Sequence, residues 1–265
     1  MVSGTAALAH TFERCRAQKR AALVGYLPAG FPDQPGSERA CASLARHGAD
    51  IVEVGVPYTD PLMDGPVIQQ AAHDALAAGF RFAHLLRCVE AVAGAGAVPV
   101  VMSYWNPILR YGVERFAADL AAAGGAGIIT PDLIPDEAGS WVDAASTQGL
   151  APIFLIAPSS TDERLQQTTD ACRGFVYAAS TMGVTGARTS VGSGAKQLVS
   201  RARSATNLPV CVGLGVSTGG QAAEVATFAD GVIVGSALVA ALGTDHQGGA
   251  LGRLTEELAE GVRGA

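Results

Sequence analysis

Eight short runs of apolar, β-rich residues recur along the chain, and stretches with helical spacing separate them. This alternation constrains the fold more than any other feature. The runs fall at 21–27, 50–56, 98–104, 127–133, 151–157, 175–180, 209–216 and 231–238. They are apolar on nearly every residue rather than on every second one, so they must be buried on both faces, as in a parallel sheet covered by helices. The stretches 113–123, 137–148 and 162–171 carry apolar residues at helical spacing, and Gly48, Gly79, Gly124 and Gly149 stand where helices should end. Eight βα units in 265 residues predict an α/β fold of the closed (β/α)8 TIM-barrel type. The main rival is an open doubly wound sheet, which carries its Gly-rich phosphate turn after the first strand. Here that position reads Pro28-Ala29-Gly30-Phe31-Pro32. Residues 2–18 predict an extra N-terminal helix closing the barrel bottom. No Pro/Ser linker or charge block divides the chain, so 1–265 reads as a single TIM-barrel domain.

Charge and composition narrow the partners. A net charge of −6 argues against nucleic acid and against an anionic membrane surface. The longest uncharged stretch, 91–109, is broken by Gly94, Gly96, Pro99 and Pro107 and is a poor membrane span. The first twenty residues lack the apolar core of a signal peptide. Five scattered cysteines (Cys15, Cys41, Cys88, Cys172 and Cys211) with no C-x-x-C pair fit a reducing compartment, so a cytoplasmic location is expected.

In such a barrel chemistry belongs to the C-terminal ends of the strands and the loops that follow. On the second run Glu53 is embedded among apolar residues. It is either paired with an arginine in the barrel or an acid–base group whose burial raises its pKa. The loop after it, Pro57-Tyr58-Thr59-Asp60-Pro61-Leu62-Met63-Asp64-Gly65-Pro66, adds two acids. Asp60 before proline fits a turn. Asp64 can face the same pocket as Glu53, and two carboxyls in different environments separate acid from base roles. At the seventh and eighth strands, Gly213-Leu214-Gly215 and Gly235-Ser236 lie where many barrels bind phosphate through backbone N–H groups. The Gly/Ser/Thr-rich stretch from Ser180 to Gly194 reads as a lid, and Tyr177 just before it either fills the barrel or faces the pocket. Only two lysines occur, Lys19 and Lys196, and neither falls on a strand, which excludes a Schiff-base aldolase. The five histidines show no paired metal spacing, so no metal is expected. What remains is acid–base chemistry on a phosphorylated small molecule.

The run from Glu53 to Pro66 closely resembles the signature of the tryptophan synthase alpha subunit family. The blocks Gly127-Ile128-Ile129-Thr130-Pro131-Asp132-Leu133-Ile134-Pro135-Asp136-Glu137 and Gly183-Val184-Thr185-Gly186 are similar to further blocks of that family. The resemblance extends from about Ala21 to Leu238. It implies retro-aldol cleavage of indole-3-glycerol phosphate to indole and D-glyceraldehyde 3-phosphate, with indole passed to a beta subunit for tryptophan biosynthesis. On that reading Glu53 is the acid–base residue and Asp64 bonds the indole N–H. Tyr177 matches an active-site tyrosine. Gly186, Gly215, Gly235 and Ser236 match phosphate-binding positions, and Thr185 joins the substrate-binding set. Tyr26, Met102, Tyr104 and Ile129 become candidate walls for the indole ring. The resemblance implies no cofactor in this chain, pyridoxal phosphate in the partner beta subunit, and an αββα heterotetramer. It also turns residues 60–65 and 103–111, with Trp105 and Tyr111, towards that partner. Pro28, Phe31 and Thr181 depart from the best-known bacterial pattern, which bears on lid closure and subunit coupling.

Three alternatives stay open on the sequence. One is a sugar-phosphate isomerase or epimerase on the same barrel. Another is a catalytically weak barrel kept as an activating partner, and the third is a free-standing lyase that releases indole.

Overall fold

The computed structural model describes residues 2–179 and 193–264. Among these described residues nine parallel strands run β1 (Ala22–Pro28), β2 (Ile51–Gly55), β3 (Val98–Met102), β4 (Gly127–Ile129), β5 (Ala151–Ile153), β6 (Leu155–Ile156), β7 (Val176–Ala179), β8 (Val210–Gly213) and β9 (Gly231–Val234). Around them lie α1 (Gly4–Ala17), α2 (Gln34–Arg46), α3 (Pro66–Ala77), α4 (Phe82–Gly94), α5 (Trp105–Tyr111), α6 (Val113–Ala122), α7 (Gly139–Gln148), α8 (Asp162–Ala171), α9 (Ser193–Ala205), α10 (Gly219–Ala226), α11 (Ser236–Thr244) and α12 (Gly249–Arg263). The strand order β5-β4-β3-β2-β1-β9-β8-β7-β6 begins and ends on neighbours in sequence. β5 and β6 are therefore one strand broken at Phe154, the first half pairing with β4 and the second with β7. The sheet closes there into the expected (β/α)8 barrel.

The strands occupy the expected positions, but several end before their apolar runs do. The third and fourth strands stop at Met102 and Ile129, and Pro131, which has no N–H to give a ladder, follows closely. The eighth run does not continue to Leu238. It ends at Val234, and α11 starts at Ser236 behind Gly235. An apolar helix directly after an apolar strand looks like more strand by composition. Helix ends are placed well: Gly48, Gly79, Gly124 and Gly149 all have positive φ, as glycine C-termini require.

Two apolar layers result. One lies between the strands and the outer helices. The other fills the barrel, where Val24, Ile51, Val100, Ile129, Ile153, Phe175 and Ile233 meet. Leu8, Phe12 and Cys15 of α1 join this interior layer, with the Phe12 and Phe175 rings 5.8 Å apart. The N-terminal helix thus plugs the bottom of the barrel, while the C-terminal mouth holds the cavity described below. Beside the plug, Arg20 and Asp50 form a buried ion pair, with N–O distances of 2.7 Å. Asp50 also accepts the Leu23 N–H. Among the described residues no helix is long and apolar enough to cross a membrane.

Candidate active site

Glu53 sits in the middle of β2, in register with Tyr26 of β1 and Val100 of β3. It is 1% exposed, has no ion-pair partner among the described residues, and its Oε2 has no hydrogen-bond partner. The arginine-paired reading is therefore set aside. Burial, with a smaller push from the Asp64 carboxylate, raises its pKa to about 8.

Asp64 reaches the same cavity from the loop between β2 and α3. Gly65 and Pro66 start α3 immediately behind it, a favourable place for proline. Gln69 Nε2 donates to the Asp64 carbonyl at 2.8 Å. The Tyr104 hydroxyl accepts the Met63 N–H at 2.9 Å and donates to Asp64 Oδ2 at 3.4 Å. Burial raises Asp64 to about 6, and the Tyr104 bond opposes the rise. Asp60 is exposed and accepts from its neighbour Thr59, as a turn residue would.

The opposite side of the cavity is backbone. Gly213 at the end of β8 lines it with Leu214 and Gly215 just beyond, Gly215 at φ 81°, a conformation that glycine supplies without strain. Gly235 and Ser236 line it at the start of α11, whose first turn has no side-chain cap. The early end of the eighth strand at Val234 therefore matters. These two residues open a helix, and uncapped N–H groups at a helix N-terminus are a ready anion site.

The cavity gathers Tyr26, Glu53, Asp64, Met102, Tyr177, Gly215, Gly235 and Ser236 from the expected set. Ile129 is buried in the barrel core and Tyr104 stands behind Asp64, and neither lines the cavity. Thr185, Gly186, Thr181 and most of the expected lid lie outside the described residues. Met63, Ile68 and Leu155 also line the cavity and were missed. Leu155 shares its register position with Tyr177 across the β6–β7 pair, so inward alternation applied around all eight strands would have found it.

Two glycines shape the cavity through the tyrosines they admit. A Cβ on Gly213 would stand 2.6 Å from Tyr177 Oη, and one on Gly55 would overlap Tyr26 Oη. Each ring fills the space of a missing side chain on a nearby strand. Among the described residues no cluster of three His, Cys, Asp or Glu side chains converges as a metal site.

Chemically, the arrangement offers a neutral carboxyl and a carboxylate near pH 7 beside apolar side chains, with glycine backbone and an uncapped helix start across from them. The model of the tryptophan synthase alpha chain family matches residues 12–261. A tryptophan synthase alpha chain of Nocardia farcinica is 61% identical over 258 residues, 97% of this chain and 96% of that one. The solved tryptophan synthase of Mycobacterium tuberculosis superposes with a TM-score of 0.93 at 58% identity, covering 97% of this chain and 98% of that chain. The tryptophan synthase a2b2 complex of Pyrococcus furiosus is similar at TM-score 0.84 and 35% identity, covering 91% of this chain and 98% of that one. Matched along nearly its whole length by the family model and by relatives near 60% identity, the chain belongs to the tryptophan synthase alpha chain family.

Proposed function

We propose that in this cavity Glu53 moves the protons of the family's alpha reaction and Asp64 stabilises the charge that develops on the ring. The chain is a lyase of that family, which cleaves indole-3-glycerol phosphate to indole and glyceraldehyde 3-phosphate in tryptophan biosynthesis. The observation that carries the assignment of roles is the unpartnered, buried Glu53 carboxyl beside Asp64 in one cavity. With a pKa near 8, Glu53 holds a proton at neutral pH, and Asp64, near 6, is mostly ionised.

Glu53 gives its proton to indole C3, which places the positive charge on the ring nitrogen. The Asp64 carboxylate accepts the N–H hydrogen bond and stabilises that charge. The Glu53 carboxylate then takes the proton of the hydroxyl on the carbon bonded to C3. The oxygen lone pair forms the aldehyde as the C3–C bond breaks, and its electrons neutralise the ring. Gly215, Gly235 and Ser236 hold the phosphate through backbone N–H groups and one hydroxyl. Tyr26, Met102 and Tyr177 wall the apolar part.

A beta-subunit partner follows from the family, and we place its docking face on the loops after β2, β3 and β4. Leu62, Leu109 and Ile134 support this: they are 82%, 52% and 45% exposed, and all three stand on that end of the barrel. Trp105 N–H donates to Asp132 Oδ1 at 2.9 Å, which fixes the start of α5 on the same face. The test is indole release from indole-3-glycerol phosphate by this chain alone and with a cognate beta subunit. Slow release that the partner stimulates supports the subunit reading. Fast release with no response to the partner supports a free-standing lyase, and no indole in either arm overturns the assignment.

A further inference from the structure

The Tyr26 ring bridges the two ends of the cavity. Its Cδ1 and Cβ lie 3.5 and 3.6 Å from where a Cβ on Gly235 would stand, at the anion cradle. Its hydroxyl lies over Gly55, two residues beyond Glu53 on β2. Glycine at both positions lets the ring lie flat along this wall. The Tyr104 hydroxyl is engaged by Met63 and Asp64, whereas Tyr26 Oη has no hydrogen-bond partner among the described residues. Burial, with Asp64 and Glu53 nearby, holds the Tyr26 phenol well above its ordinary pKa, so it stays a hydrogen-bond donor throughout the working pH range.

A three-carbon phosphate chain held at Gly235 and Ser236 must run along this wall to bring its far carbon to Glu53. Of its two hydroxyls, the one on the far carbon is engaged by Glu53. The other, on the middle carbon, passes along the wall that Tyr26 forms. A hydroxyl buried there without a partner costs binding, and a site built to bond it rejects analogues that lack it. We propose that the Tyr26 hydroxyl is a specificity-determining group that hydrogen-bonds the middle-carbon hydroxyl of the glycerol phosphate chain. The proposal rests on the reading of the cavity given above.

Tyr26→Phe removes only an oxygen that no group among the described residues bonds, so the fold is kept. Binding is measured in a Glu53→Gln background, which holds the substrate unreacted, with Tyr26 intact or replaced. The two probes are indole-3-glycerol phosphate and an indole alkyl phosphate of the same length without hydroxyls. Tyr26→Phe is expected to weaken the first about three- to tenfold and to leave the second within about twofold. Equal loss for both probes, or no loss for the first, overturns the proposal. So does a hydroxyl-specific loss that appears in Tyr177→Phe and not in Tyr26→Phe. Should the chain with Glu53 intact release no indole, the reading of the cavity itself has failed, which the binding arms alone do not report.

Discussion

Replacing Glu53 by glutamine should make the protein more stable as it becomes inactive, and the gain should grow with pH. The carboxyl titrates near 8 in the folded chain, against an ordinary value of 4.5. A raised carboxyl pKa means that the folded state holds a proton which the unfolded chain has already released. Folded stability is therefore intact below about pH 4.5 and falls as pH rises through the window up to 8. At about 1.4 kcal/mol per pH unit, the full loss is about 5 kcal/mol, of which about 3–4 kcal/mol falls between pH 5 and pH 8. Glutamine has the same shape and does not titrate. Its buried amide adds a cost that does not change with pH, so the difference in slope isolates the carboxyl. Urea unfolding followed by circular dichroism at pH 5, 6, 7 and 8 gives the two profiles. The wild-type chain should lose stability relative to Glu53→Gln by about 3–4 kcal/mol over that range. Parallel profiles would show that Glu53 is solvated or paired in solution, and the acid role assigned to it would fall.

Three further substitutions test other parts of the account. Arg20→Ala removes the two-pronged partner of Asp50, which is 6% exposed, and leaves it Arg14 at 3.2 Å and the Leu23 N–H, so it should cost about 1.5–3 kcal/mol in urea unfolding at pH 7. Burial pushes the Asp50 carboxyl up, but the Arg20 bond and the Leu23 N–H together hold it below its ordinary value. That stabilisation is lost as pH falls, so the gap between variant and parent should narrow in acid, and a gap that widens would contradict the assignment. Gly213→Ala puts a methyl 2.6 Å from Tyr177 Oη and should cost about 1–3 kcal/mol while raising KM. An unchanged KM would mean that the Tyr177 ring does not border the substrate. Asp132→Ala removes the acceptor at the start of α5 and should cost about 1 kcal/mol and weaken beta-subunit binding in titration calorimetry. Full-strength binding would move the docking face elsewhere.

Much of this molecule is legible in one dimension because its rules are local. Continuous apolar runs, helical spacing and terminal glycines depend on near neighbours, and they place the βα units and the N-terminal plug. Glu53 is legible for the same reason, since an acid inside an apolar strand has few reasons to be there. What escapes depends on closure. The break at Phe154 arises where the ends of the sheet meet, which nothing in the sequence near 154 announces. Tyr104 reads as an indole wall by its position after β3, yet its hydroxyl is taken up by Met63 and Asp64, forty or so residues earlier in the chain. Ile129 alternates into the barrel as expected, but below the cavity. Gly55 and Gly213 look like ordinary strand glycines until the tyrosines that occupy their missing side chains are seen.

The central claim is that Glu53 moves the protons and Asp64 holds the charge. Single-turnover cleavage of indole-3-glycerol phosphate, with binding measured separately, tests it most directly. In Glu53→Gln the chemical step should fall about a hundred- to ten-thousand-fold while substrate affinity stays within a few-fold of the parent. A chemical step that survives the substitution, or a loss confined to affinity, would contradict the account.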